Sequence, residues 1–137
     1  MASRTASLSE AQRRFLENPY VGVVTTIRPD GSPHATVVWV DVDDEGVSFN
    51  TESGRAKPRY LEQNPQLALL VIDPGDAYKW VSISGRAELT TEGAHEQIDR
   101  LAKKYIGKDE YPWHNPEQHR ITVRIAPETI DSSGFDG

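Results

Sequence analysis

The stretch FNTESGRAKPRYL, residues 49–61, organises the prediction for the whole chain. It begins with strand character, passes through a turn that carries hydroxyl groups and a glycine, and enters a predicted helix over 56–63. Three cations lie close together in it, namely Arg55, Lys57 and Arg59. Hydroxyls, paired cations and the N–H groups of a helix start are the groups that bind phosphate. The stretch therefore predicts a phosphate site, and the alternative is a solvated basic helix start.

The cations of this turn are not equivalent in the prediction. Arg55 can bind a phosphate through two hydrogen bonds, and Lys57 adds a compact point charge. If Ser53 or Gly54 precedes the first helical turn, unpaired backbone N–H groups add further donors. At about 100° per residue, Arg59 points roughly opposite Lys57, towards solvent or a partner.

On both sides of this stretch the chain consists of short segments rich in β-branched residues, separated by turn sequences such as Pro-Asp-Gly. These segments are 20–27, 34–42, 47–51, 66–72, 78–89 and 120–126. They predict about six antiparallel strands, with a possible short continuation after the last. Closing the sheet removes its exposed edges, so the predicted fold is mainly β: a mostly antiparallel barrel with small peripheral helices.

Individual segments carry sharper predictions. The nearly continuous apolar strand 66–72 predicts burial on both faces. Gly85 inside the strand 78–89 predicts a bulge or bend. Residues 1–7 and 132–137 are predicted to be flexible tails.

Two further helices are predicted around the strands. A short one begins with Ser9 as its N-cap and ends before Pro19. A longer one is capped by Thr90 or Thr91, follows helical apolar spacing from Ala94 onward, and stops at Gly107. The polar segment 108–118 after it is predicted to be a loop.

Composition limits the classes of function. The 137 residues predict one domain, 1–137, and the formal net charge of −6 disfavours nucleic-acid binding. Cysteine is absent, which excludes disulfides and thiolate chemistry. No apolar run approaches the ~20 residues of a membrane helix and no secretory signal is evident, so a cytoplasmic protein without membrane contact is expected. The spacing of the four histidines matches no metal motif, so no metal site is predicted.

Three motifs carry a resemblance to a known family: RPDGSPH (28–34), TESGRAK (51–57), and DPG (73–75) followed by WVSISG (80–85). The chain resembles the split-barrel flavin and deazaflavin oxidoreductases, which include pyridoxamine-phosphate-oxidase-like proteins, over roughly residues 19–127. The Arg-Ala-Lys form of the second motif is similar to the branch that uses the deazaflavin coenzyme F420 in actinobacteria.

The resemblance implies a homodimer whose cofactor groove lies between the subunits. It places the cofactor phosphate at the strand–helix turn, the ring along the second strand, and a segment of the second subunit across the groove. The implied phosphate-site residues are Thr51, Ser53, Gly54, Arg55, Ala56 and Lys57. The implied ring-site residues are Thr36, Val37, Val38 and Trp39. The implied residues of the second subunit are Ala77, Tyr78, Lys79 and Trp80.

The implied function is an F420-dependent oxidoreductase that transfers a hydride between the reduced deazaflavin and a small conjugated or electrophilic substrate. Such chemistry needs no catalytic acid or base, and none is assigned. The alternatives are an FMN-dependent oxidase or reductase of the same fold, a carrier of a cofactor, haem or tetrapyrrole without turnover, and a structural dimer with a vestigial groove. His34 is either a substrate donor or a plain turn residue. The loop with Tyr111 and His114 is either a substrate lid or a dimer contact.

Overall fold

The computed structural model describes residues 3–5 and 7–135, and this part of the chain contains eight strands and three helices. The strands are β1 (Ser3–Thr5), β2 (Gly22–Ile27), β3 (Pro33–Val38), β4 (Val40–Asp43), β5 (Gly46–Glu52), β6 (Gln66–Asp73), β7 (Asp76–Thr90) and β8 (Arg120–Ser133). The helices are α1 (Glu10–Leu16), α2 (Ala56–Gln63) and α3 (Ala94–Ile106). None of these helices combines the length and apolar character needed to span a bilayer.

All strand pairs are antiparallel, in the order β3-β2-β6-β7-β8-β5-β4, and β1 adds to β8. The two ends of this path, β3 and β4, are consecutive in the chain and separated only by Trp39. The sheet must therefore curl until its first and last strands meet end to end. This arrangement confirms the predicted split barrel with peripheral helices.

The predicted strand 34–42 is two strands, because the chain changes its pairing partner at Trp39. Its first half pairs with β2 and its second half with β5. Tyr105 of α3 holds the junction: its hydroxyl accepts a hydrogen bond from the Val40 N–H at 2.9 Å and donates one to the Tyr20 carbonyl at 2.7 Å. This break and the added strand β1 account for the difference from about six strands.

The barrel interior is filled by alternate residues of the strands, and one end is closed by α1. Phe49 and Leu69 are fully buried at the centre, and Phe15 and Leu16 of α1 pack onto the same core. Ser9 is the N-cap of α1, as predicted, and forms a capping box with Gln12. The helix thus inserts its apolar residues with its first N–H groups satisfied.

Strand β6 is buried on one face only, so the prediction of burial on both faces is wrong. Leu67, Leu69 and Val71 are buried, whereas Leu70 is 40% and Ile72 39% exposed. A strand with an exposed apolar outer face has the same sequence pattern as a strand that is covered on both faces. An apolar outer surface of the sheet remains.

Helix α3 begins with Gly93 at the N-cap, so the prediction of a Thr90 or Thr91 cap is wrong. Gly93 has φ of 73°, and the Thr90 hydroxyl instead accepts a hydrogen bond from the N–H of Glu92, within the turn before the helix. Gly107 ends the helix with φ of 71°, as predicted.

Both ends of the chain contain strand residues. Residues 3–5 form β1, and β8 continues through Ser132, which is buried, and Ser133. Strands β1 and β7 both pair with this end of β8, and the prediction of flexible tails stays a prediction. Residues 1, 2, 6, 136 and 137 of the predicted tails lie outside the described residues.

Candidate functional site

A cavity of about 200 Å³ lies where β5 ends and α2 begins. It is bordered by the β3–β4 junction, by the inner side of α3 and by the loop that follows α3. Six of the residues predicted to bind a cofactor line this cavity. They are Val37, Val38, Trp39, Thr51, Arg55 and Lys57.

Lys57 is the unusual charge of this cavity. It is only 9% exposed, and its ammonium group has no hydrogen-bond or ion-pair partner among the described residues. Burial, reinforced by the positive charge of Arg55, lowers the pKa of Lys57 below its ordinary value. The side chain is largely buried while its Nζ keeps some contact with solvent, so an anion in the cavity would offset the desolvation of this charge. Arg59, on the same helix, is exposed.

Two guanidinium groups share one carboxylate beside Lys57. Arg55 Nε donates to Glu52 Oε1 at 2.9 Å, and Arg120 Nη1 donates to Glu52 Oε2 at 3.2 Å. With Lys57 added, three cations face a single carboxylate, so the mouth of the cavity is positively charged. Arg55 is more than half exposed and retains N–H groups for a further acceptor.

Arg120 also lines the cavity, and it was not predicted from the sequence as a site residue. Its Nε donates to Asn50 Oδ1 at 2.7 Å, and its guanidinium lies over the ring of Tyr111 at 5.1 Å. Burial lowers the pKa of Arg120, although the carboxylate of Glu52 opposes this effect. The contact depends on the β5–β8 register, in which Glu52 is opposite Arg120, and no local motif encodes that register.

Two predicted hydroxyls differ in what they contact. Thr51 lines the cavity, and its Oγ1 is buried without a hydrogen-bond partner. Thr36 Oγ1 on β3 is also buried without a partner, but Thr36 does not line the cavity. Ser53 Oγ instead accepts a hydrogen bond from the His119 N–H at 2.9 Å, and Ser53 does not line the cavity. Thr51 is thus free to donate to a ligand, whereas Ser53 holds the loop before β8.

The helix start supplies backbone donors. Arg55 is the N-cap of α2 and makes no side-chain capping bond, so the N–H groups of the first turn, including Ala56 and Lys57, have no intrahelical acceptor. Gly54 has φ of 86°, a left-handed conformation that favours glycine, and it allows the tight turn from β5 into α2. These donors complete a set suited to a phosphate group.

Aromatic rings form the opposite wall. Trp39 stacks on Tyr105 with centroids 5.3 Å apart and meets Tyr111 edge-on at 6.0 Å, and Tyr111 meets Trp113 at 5.5 Å. The loop that carries Tyr111 and Trp113 therefore covers the cavity from the side of α3. The structure places this loop as a wall of the cavity.

Residues 77–80 lie elsewhere in a single chain. Ala77 and Trp80 border a separate, more open depression with Leu70 and Ile72, and Tyr78 is exposed. Lys79 Nζ lies 5.1 Å from the centroid of the Phe135 ring. One chain thus brings together the predicted phosphate and ring positions but not this segment.

His34 also lies outside the cavity lining. Its Nδ1 is buried without a hydrogen-bond partner, and its ring meets Tyr60 edge-on at 5.4 Å. Burial, then the positive charges of Arg28 and Lys57, lower the pKa of His34. These contacts favour a neutral imidazole next to the candidate site, and the proposed substrate role stays a prediction.

The curled antiparallel barrel, with a basic strand–helix turn and aromatic rings around one cavity, defines a split β-barrel protein. Residues 8–133 match the family model described as pyridoxamine 5'-phosphate oxidase, and the chain belongs to this family. This confirms the resemblance of the TESGRAK and RPDGSPH motifs.

Individual relatives connect the chain to two kinds of oxidoreductase. It is 26% identical over 127 residues to the F420H(2)-dependent biliverdin reductase of Mycobacterium tuberculosis, covering 91% of this chain and 89% of that protein. It is 39% identical over 84 residues to a pyridoxine/pyridoxamine 5'-phosphate oxidase of Rubrobacter xylanophilus, covering 61% of this chain but only 38% of the oxidase. A solved structure named F420 reductase superposes with a TM-score of 0.76 at 27% identity, covering 90% of this chain and 98% of that one.

Proposed function

We propose that the chain is an oxidoreductase that binds reduced coenzyme F420 and uses it on a small conjugated or electrophilic substrate. The observation that carries the proposal is the buried, unpartnered Lys57 at the mouth of the cavity. Two F420-linked relatives, the M. tuberculosis biliverdin reductase and the structure named F420 reductase, match 91% and 90% of this chain, which supports F420 as the cofactor.

The phosphate end of the cofactor would be held by the basic turn. Lys57 and Arg55 supply charge, Thr51 supplies a free hydroxyl, and the first turn of α2 supplies N–H groups. Each charged hydrogen bond of this kind contributes about 1.5–3 kcal/mol to binding. The ligand would relieve the desolvation cost that Lys57 carries alone.

The ring would lie along the edge strand β3. Among the strands that the structure describes, β3 pairs with β2 alone, so its other edge has N–H and C=O groups without a ladder partner there. Val37 and Val38 offer apolar surface, and Trp39 and Tyr111 form an aromatic wall of the same cavity. When bound, the deazaflavin supplies the hydride chemistry, and the protein contributes position, dryness and positive charge.

Binding measurements test this proposal directly. We expect the purified protein to bind F420 with a dissociation constant on the order of micromolar, and to bind FMN more weakly, in parallel fluorescence titrations. Tight FMN binding without measurable F420 affinity would establish the FMN alternative. Cofactor binding without oxidation of reduced F420 by enones, quinones or tetrapyrroles would establish the carrier alternative.

A second copy of the chain would complete the groove. The apolar outer surface of the sheet runs through Val37 (63% exposed), Val23 (39%) and Leu70. Val23 is paired with both Val37 and Leu70, so the three form a continuous strip. The strip starts at the cavity and leads to residues 77–80. Covering it with a symmetry-related copy would bring those residues to the partner's cavity.

We expect Leu70→Glu to convert a dimer into a monomer and to weaken cofactor binding in the same sample. In a two-fold interface the new charge is buried twice, and unfavourable charges of this kind cost several kcal/mol, about 100-fold or more in association. Light scattering after gel filtration measures the mass. Ile106→Glu, at an equally exposed apolar position at the end of α3, is the matched control and should leave the mass unchanged. A monomeric wild-type protein that binds cofactor fully would contradict the shared groove.

A further inference from the structure

Two histidines and an aspartate, from α3 and from the loop that follows it, converge outside the cavity that Lys57 lines. His95 and Asp99 lie four residues apart on one face of α3, and His114 comes from the following loop. His95 Nε2 is 3.5 Å from Asp99 Oδ2, and His114 Nε2 is 3.5 Å from Asp99 Oδ1. The two imidazole rings are stacked, with centroids 4.5 Å apart. One nitrogen or oxygen atom from each of the three residues lies within 4.8 Å of the others.

We propose that these three side chains bind one divalent transition-metal ion of the zinc type. Tetrahedral zinc, with bonds of ~2.0–2.1 Å, places neighbouring ligand atoms about 3.3 Å apart. The two carboxylate–imidazole distances already approach this value. Two imidazoles and one carboxylate suit zinc and its first-row neighbours and do not suit magnesium or calcium, which prefer oxygen ligands.

A backbone hydrogen bond holds the carboxylate of Asp99 in position. The backbone N–H of Tyr111 donates to Asp99 Oδ1 at 2.8 Å, which fixes the carboxylate in front of the two rings. His95 and His114 are exposed and Asp99 is half-buried, so an ion can enter from solvent and keep a water ligand. The site is therefore accessible, its carboxylate is held in place, and the two stacked rings would turn to direct a nitrogen atom each at one ion.

The ion would join the loop to the helix. His114 and Tyr111 belong to the loop between α3 and β8, and this loop also carries Trp113 to the wall of the cofactor cavity. Without an ion, the loop contacts Asp99 through one hydrogen bond and a long His114 contact. A bound metal would replace the weaker contact by coordination bonds and so hold the cavity wall in place. This role is structural and does not depend on which cofactor the cavity binds.

The experiment uses the full chain after removal of metal with a chelator. We expect calorimetric titration with zinc chloride to give one site per chain. His95→Ala and His114→Ala should each weaken the affinity by at least about 100-fold, since even residues that only orient a ligand contribute 10–100-fold. His119→Ala, at an exposed histidine of the same loop outside the cluster, is the matched control and should bind zinc as the wild type does.

A second measurement tests the join between loop and helix. Zinc should slow tryptic cleavage after Lys108 in the wild type and in His119→Ala, but not in His114→Ala. Asp99→Asn retains an acceptor for the Tyr111 N–H and loses the charge, so it should lose zinc binding while keeping the fold. Absence of zinc binding by the wild type, undiminished binding by His95→Ala and His114→Ala, or equal loss in His119→Ala would each overturn the site. Zinc binding without loop protection would overturn its structural role.

Discussion

Replacing Lys57 with methionine is expected to weaken cofactor binding by about 10–100-fold and, at the same time, to raise the melting temperature. The binding loss corresponds to one charged hydrogen bond, about 1.5–3 kcal/mol. The expected gain in stability has a separate cause, because the desolvation that lowers the pKa of Lys57 also disfavours the folded state while the side chain is charged. Methionine keeps an unbranched side chain that is one atom shorter, and it removes the charge.

The opposite signs make this substitution diagnostic. A structural lysine would lose stability when replaced, whereas a lysine kept for a ligand should gain stability and lose affinity. Arg59→Met is the matched control, since Arg59 is exposed on the same helix and should change neither property by more than a few tenths of a kcal/mol. Fluorescence titration with F420 and thermal unfolding of the free protein measure both effects. Unchanged affinity in Lys57→Met would place the phosphate elsewhere.

Local patterns explain which parts of the fold were predictable. Helix α2 spans Ala56–Gln63, the range predicted from its sequence, because the preceding turn and the following Asn64-Pro65 bound it locally. Gly107 ended α3 for a similarly local reason, its left-handed backbone. In each case the residues that determine the boundary are next to it in the chain.

Several side-chain contacts of the candidate site could not be predicted, because no local sequence pattern encodes them. Arg120 reaches Glu52 only because β5 and β8 pair in one particular register. Ser53 lies in the predicted turn, yet its hydroxyl binds the loop before β8 rather than facing the cavity. His95 and His114 are 19 residues apart in the sequence, and the turn back from α3 brings them into ring contact. Register and loop path are properties of the assembled barrel.

The apolar run of β6 shows a different limit. Its alternate residues Leu69 and Leu70 are equally apolar, but the first is in the core and the second is exposed on the outer face. A pattern of apolar residues shows which faces of a strand are apolar. It does not show whether each face is covered by other elements of the same chain. The apolar run of β6 therefore could not distinguish a core strand from a strand with an exposed apolar face.

Among the glycine-to-alanine substitutions at the described positions, Gly85→Ala is expected to destabilise the barrel most. A Cβ at this position would lie 2.0 Å from the carbonyl oxygen of Ala126 and 3.1 Å from the N–H nitrogen of Glu128. Both are backbone atoms of the neighbouring strand, so no side-chain rotation can relieve the clash. We expect a loss of about 3 kcal/mol or more, or about 10 °C or more in melting temperature.

The close approach has a role in the architecture. The predicted irregularity at Gly85 is confirmed, and the extra residue is on β8: Ser84 is opposite Thr129 and Gly85 is opposite Pro127, which leaves Glu128 unpaired. This bulge separates the half of β8 that carries Arg120 to the cavity from the half that pairs beside residues 80–84. A clash here would shift the two halves relative to each other.

Gly75→Ala provides the matched control, because its Cβ would meet only the Asp73 carboxylate, at an ordinary contact distance of 3.4 Å. Thermal and urea unfolding of both variants should show a large loss for Gly85→Ala and almost none for Gly75→Ala. Equal stability of the two would mean that β7 and β8 are farther apart at the bulge than the structure places them. Since that bulge links the cofactor cavity to the outer face that a second copy would cover, a soluble Gly85→Ala variant should also lose affinity for cofactor.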